Sequence, residues 1–181
     1  DSVPYFSNIR NRFDTVDKWE NFVCAGHFYD LDMLAIGRQD LFSELPSLSE
    51  NEELAEYTMT AFFLSPIQLS CHLDKLCEFE FDMICNDEII EINQDSLASY
   101  PKLQKTYGQR DTVIYRRELC NGDFAIAVFN MGDTAFSDTY ELGGMYRVRD
   151  VWAKENIGTA DRIEIELMPH SAAVYRMSED K

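Results

Sequence analysis

The chain has 181 residues, enough for one domain or two small ones with a sizeable core. Its 16 basic residues against 33 acidic ones give a formal charge of −17. That balance argues against a nucleic-acid partner and against an anionic membrane surface, because both are polyanions. The 45% hydrophobic and 13% aromatic fractions are too rich for a disordered acidic chain, so a soluble globular protein is expected.

The longest apolar stretches, such as Met59-Thr60-Ala61-Phe62-Phe63-Leu64, fall far short of the ~20 residues a membrane-spanning helix needs. The first residues, Asp-Ser-Val-Pro, have no basic start and no apolar run, so no signal peptide is expected and the compartment is left open. Five cysteines, an odd number without a Cys-x-x-Cys pair, point to reduced thiols rather than a disulfide framework.

Along the chain, Asp32-Met33-Leu34-Ala35-Ile36 reads as a buried strand end that stops at Gly37. Ser49-Glu50-Asn51-Glu52 is a capping box, in which hydroxyl and carboxylate each satisfy an orphan backbone N–H. Leu54, Tyr57, Ala61 and Leu64 then recur at helical spacing until Pro66 closes the helix. Residues 67–70 are a short strand, and helices are expected over 79–85 and 88–93. Strand, helix, strand, helix in this order implies βα units on a parallel sheet.

The rhythm changes near 101–107, which divides the chain into 1–106 and 107–181. Downstream the period is two. Residues 112–117 and 124–129 flank Asn121-Gly122, a hairpin signal because both residues tolerate positive φ. Further strands are expected at 139–142, 146–152, 162–167 and 172–176, with Gly143-Gly144 as a turn. Short strands punctuated in this way suggest an antiparallel sandwich.

No Gly-x-Ser-x-Gly, P-loop or His-Glu-x-x-His occurs, and three scattered histidines make a poor metal site. No cofactor is called for. His27 and His170 read as hydrogen-bonded structural residues. The residues that invite chemistry are carboxylates: Asp30 and Asp32 sit where a strand runs into a loop, and alternate strand residues share a face. Their neighbours Leu31, Met33 and Leu34 are apolar, so a partner is needed, and Arg10, four residues before Asp14, is a candidate.

Four stretches, in order, resemble the C-terminal part of the α-galactosidase (melibiase) family of retaining glycoside hydrolases, which includes α-N-acetylgalactosaminidases. Ile9-Arg10-Asn11-Arg12-Phe13-Asp14, followed by Trp19, is similar to the family's Trp-Arg-Asn-x-x-Asp segment. Ala25-Gly26-His27-Phe28-Tyr29-Asp30-Leu31-Asp32-Met33-Leu34 resembles Pro-Gly-His-Trp-Asn-Asp-Pro-Asp-Met-Leu. Ser65-Pro66-Ile67 with Cys71-His72-Leu73-Asp74-Lys75-Leu76 looks like the last barrel strand and its loop, and Glu88-Ile89-Ile90-Glu91-Ile92-Asn93-Gln94-Asp95 is close to Glu-Val-Ile-Ala-Ile-Asn-Gln-Asp. Val148-Arg149-Asp150-Val151-Trp152 and Pro169-His170 fit the family's C-terminal β domain.

The resemblance implies an α/β part, the last βα units of a (β/α)8 barrel at 1–106, followed by an all-β antiparallel sandwich at 107–181. It implies hydrolysis of terminal α-galactosides by double displacement, with two carboxyl groups ~5–5.5 Å apart. Carried over by position, Asp14 is the acid/base, Arg10, Asp32 and Met33 bind substrate, and Asp30 supports them.

The family's nucleophile, in a Lys-x-Asp segment of an earlier strand, has no counterpart, since no Lys-x-Asp occurs here. Three explanations stay open: an upstream segment of a larger enzyme, a second chain that completes the barrel, or a truncated, inactive relative. A non-catalytic sugar-binding or assembly module on a decayed barrel is the alternative reading. Ile9 in place of Trp, and Phe28-Tyr29-Asp30-Leu31 in place of Trp-Asn-Asp-Pro, put the identity of the sugar in doubt more than the reaction.

Overall fold

The computed structural model describes residues 5–37 and 47–179. Four helices precede six strands: α1 (Phe6–Val16), α2 (Glu50–Phe62), α3 (Glu78–Ile84), α4 (Asp87–Asn93), β1 (Lys102–Tyr107), β2 (Thr112–Glu118), β3 (Phe124–Asn130), β4 (Phe136–Asp150), β5 (Glu155–Leu167) and β6 (Ser171–Ser178). The expected capping box forms: Ser49 Oγ accepts from the Glu52 N–H, and Glu52 Oε2 accepts from the Ser49 N–H at 2.8 Å. Asn86 caps α4 by accepting from the Glu88 and Ile89 N–H groups.

The strands form one antiparallel sheet in the order β1-β2-β3-β6-β4-β5. Gly122, at φ 87°, turns the chain from β2 into β3 as the Asn-Gly signal predicts. Residues 139–152 differ from expectation. Gly143-Gly144 is no turn but lies inside β4, at a register shift between Glu141 and Tyr146. Gly143 takes φ 76°, the conformation a bulge needs, and the bulge bends the strand instead of ending it.

Beyond residues 147–150, which pair with β6, β4 and β5 continue as a long hairpin over the outer face of the sheet. There Leu142, Ile163, Ile165 and Leu167 pack against Ile114, Ile126, Val128 and Ala173. That closure makes the sheet sandwich-like, which is why every residue of β3 is buried although its sequence does not alternate.

The inner face carries Val113, Tyr115, Ala125, Ala127, Phe129, Ala172 and Val174, and the helices pack directly onto it in one shared core. β1 begins at Lys102 and pairs with β2, so the sheet starts upstream of residue 107. Polar groups tie the layers as well: Tyr100 OH donates to the Val16 carbonyl at 2.7 Å, and Asn86 Nδ2 to that of Val151 at 3.0 Å. His170 stacks on Phe6 and lies within 3.0 Å of Glu52 and 2.9 Å of Asp133, a structural role.

The barrel units are not seen as such in the described residues. What remains of a parallel sheet is one isolated bridge, Leu34 to Leu69, on either side of α2. It has two bonds, Leu34 N–H to the Gln68 carbonyl at 2.8 Å and Ser70 N–H to the Leu34 carbonyl at 3.1 Å. The expected strands 32–36 and 67–70 shrink to this contact, and the first is interrupted at Asp32, whose φ of 74° is not extended backbone. All five cysteines are free thiols. Among the described residues no helix is long and apolar enough to cross a membrane, and no cluster of three metal-ligating side chains occurs.

Candidate functional site

Helix α1 sets the geometry of the predicted residues. Ile9, Phe13 and Val16, spaced four and three apart, are buried against the sheet, with the Phe13 ring 4.9 Å from Phe129 and 6.2 Å from Tyr115. Arg10 and Asp14, one turn apart, therefore share a flank, whereas Arg12 lies about 200° round the helix from Arg10. The flank with Arg10 and Asp14 looks toward the β1–β2 turn. Arg10 Nη2 lies 2.9 Å from Asp111 Oδ1, with both groups about half exposed. Arg110, beside it, bonds Asp17 at 2.8 Å and the Tyr115 hydroxyl at 3.1 Å. Burial works against the Arg110 charge, but the Asp17 bond and the fields of Tyr115, Asp17 and Asp14 outweigh it and push its pKa up.

Arg12 goes the other way. Its Nη1 donates to Glu56 Oε1 at 3.1 Å, and Glu56, only 1% exposed, uses Oε2 to accept the Ala35 N–H at 3.1 Å. Burial pushes the Glu56 pKa up; Arg12 and the Ala35 bond pull it back, and the charge of Asp32 raises it further. Asp32 is therefore near Glu56. Arg12 thus pairs with the buried Glu56, and Arg10 pairs with Asp111 at the β1–β2 turn.

Asp30 and Asp32 do not alternate along a strand as expected. Asp32 has φ 74°, a left-handed conformation that Asp tolerates, so the two-residue period breaks there. Asp30 Oδ1 accepts the Asp32 N–H at 2.9 Å and Asp32 Oδ1 accepts the Met33 N–H at 2.8 Å. Both acids precede the bridged Leu34 rather than following it. Met33 is 41% exposed beside them. Thus the structure gathers Asp30, Asp32 and Met33 in one loop, whereas Arg10 and Asp14 stand on the α1 flank that faces the β1–β2 turn.

Two buried acids went unread in the sequence. Glu53, one turn before Glu56 on α2, is 3% exposed and accepts the Gly37 N–H at 2.7 Å. Burial pushes its pKa up to about 7; the Gly37 bond opposes this, and the charges of Glu80, Glu56 and Glu50 reinforce it. The available signal was the spacing Glu53, Glu56, Thr60, a polar stripe on a helix whose residues 55–62 are all buried. On this stripe the carboxylates hold the chain that runs from Ala35 to Gly37. Glu53 and Glu56 thereby fix the stretch that follows the loop carrying Asp30 and Asp32.

Residues 109–177 match the α-galactosidase C-terminal β-sandwich domain family. Over 95% of its length the chain is 28% identical to a probable α-galactosidase A of Aspergillus niger, of which it spans 32%. The chain is similar to the C-terminal part of α-galactosidases, and its residues 109–177 match their C-terminal β-sandwich domain. Solved structures agree in fold. A GH27 β-L-arabinopyranosidase from Geobacillus stearothermophilus superposes with a TM-score of 0.86 at 22% identity, over 99% of this chain and 43% of that one. For α-galactosidase I from Mortierella vinacea the TM-score is 0.82 at 22% identity, over 98% of this chain and 46% of that one. The chain thus spans about a third of the length of the first curated α-galactosidase and under half of these solved chains. In this family context the six-stranded sheet is the C-terminal β domain, and the helical layer with its Leu34–Leu69 bridge precedes it.

Proposed function

We propose that this chain is the C-terminal portion of a retaining glycoside hydrolase of the α-galactosidase type, acting on terminal α-galactosides. The observation that carries the reading is the match to an α-galactosidase over 95% of the chain, both helical layer and sheet. In this assignment Asp14 protonates the leaving glycosidic oxygen and then takes the proton of the attacking water. Arg10, Asp32 and Met33 contact the sugar, and Asp30 fixes the Asp32 backbone through their 2.9 Å bond. The nucleophilic carboxylate comes from sequence outside these residues, either an upstream segment or a second chain.

Arg12 and Glu56 have a supporting role here, holding the Ala35 backbone and so the loop in front of it.

The test is hydrolysis of an aryl α-galactoside by the longest encoded protein and by its Asp14→Asn variant, with the melting temperature of each. Loss of turnover by at least about a hundredfold with an unchanged melting temperature is expected for an acid/base. Full activity in the variant refutes the assignment of Asp14. Saturable galactoside binding without turnover in the parent favours the non-catalytic sugar-binding module, for which the absence of a Lys-x-Asp segment speaks.

A further inference from the structure

Between α2, α3 and the turn that joins β4 to β5 lies a hollow of about 460 Å³, and none of Arg10, Asp14, Asp30, Asp32 or Met33 lines it. Its wall includes Leu54, Phe79 and Trp152, and its rim Asp82 and Lys154. The Trp152 ring is pinned: its indole N–H donates to Thr58 Oγ1 at 3.1 Å, and its ring centre is 5.8 Å from that of Tyr57. Lys154 Nζ uses one N–H on Asp87 at 2.6 Å and keeps two donors. The exposed Asp82 carboxylate makes no hydrogen bond or ion pair among the described residues.

A fixed aromatic wall beside a spare acceptor and spare donors suits a ring with an apolar face and hydroxyl edges, and the volume suits a small ligand. A second hollow of about 550 Å³, near Glu88, Arg149 and Arg176, is chemically closed by comparison. There Arg149 already grips Glu88 at 2.5 and 2.7 Å, and Arg176 grips Asp123 at 2.9 Å, so a ligand would have to break half-buried ion pairs.

We propose that the hollow at Trp152 is a saccharide-binding site separate from the hydrolytic one. It takes one neutral pyranose unit on the indole wall, with Asp82 accepting from its hydroxyls and Lys154 donating to them. The site goes beyond the hydrolytic reading and stands without it.

The chain has two tryptophans, so a Trp19→Phe variant leaves Trp152 as the sole indole reporter. Titration of this variant with methyl α-D-galactopyranoside and with methyl α-D-glucopyranoside, read by tryptophan emission, is expected to give a saturable change with at least one of them. Ala153→Arg, at an exposed position on the rim, fills the hollow while its backbone N–H keeps its 2.9 Å bond to Asp150; it should abolish the response with an unchanged circular dichroism spectrum. Asp82→Ala should weaken binding about tenfold. The response should persist in an Asp14→Asn background, which separates this site from the hydrolytic one. No saturable change with either sugar, or a change that survives Ala153→Arg, overturns the proposal.

Discussion

Replacing Glu53 by Gln should stabilise the protein at alkaline pH and do nothing for it in acid. Glu53 is 3% exposed, and burial, together with the nearby charges of Glu80, Glu56 and Glu50, lifts its pKa from 4.5 to about 7. The sign follows from linkage. A carboxyl that is harder to ionise in the folded chain than in the unfolded one destabilises the fold wherever it must be charged. The penalty is full above pH 7, fades as the pH falls from 7 to 4.5, and is absent below. Its size is at most about 3.5 kcal/mol, from the rise from 4.5 to about 7 at about 1.4 kcal/mol per pH unit.

Glutamine keeps an oxygen to accept the Gly37 N–H, so the 2.7 Å contact survives without the charge. Urea unfolding of the parent and of Glu53→Gln at pH 4.5 and pH 8.5 measures the effect. The variant should gain up to about 3 kcal/mol relative to the parent on going from the lower to the higher pH. An identical difference at both pH values would refute the claim that a buried, charge-crowded carboxylate sits at this point of α2.

Two further perturbations probe buried charge elsewhere. Arg12→Ala strands Glu56, which is 1% exposed, and should cost about 3–5 kcal/mol in urea unfolding at pH 7.5, with the loss shrinking in acid as Glu56 protonates. Arg117 is also 1% exposed; its Nη1 reaches only the Phe62 carbonyl at 3.3 Å, its Nε and Nη2 have no partner, and burial brings its pKa down to about 10. Arg117→Met, which keeps most of the volume and removes the orphan donors, should stay within about 1 kcal/mol of the parent in thermal unfolding, whereas Arg117→Ala should lose about 3 kcal/mol by leaving a void.

The local code was legible where a short stretch fixes its own backbone. Ser49 and Glu52 satisfy each other's N–H groups, Asn121-Gly122 turns a hairpin, and residues 78–84 and 87–93 form the two short helices expected there, each from bonds made within a few residues. The Gly143-Gly144 pair was misread because positive φ serves a turn and a bulge equally. The choice between them was made by β5, which pairs with β4 on both sides of the glycines. The candidate site was legible as residue types but not as an arrangement. A two-residue period placed Asp30 and Asp32 on one face, and the left-handed turn at Asp32 cancelled it.

The sequence alone carried the resemblance to α-galactosidases, in ordered motifs, and the antiparallel β domain, in its strand rhythm, because those residues state their chemistry locally. Only the tertiary structure decided that Arg12 pairs with Glu56 and Arg10 with Asp111, and that Glu53 and Glu56 lie buried. The direction of a side chain on α1 depends on which of its faces meets the sheet, and that is settled by Phe13 packing on Tyr115 and Phe129, residues about a hundred positions away.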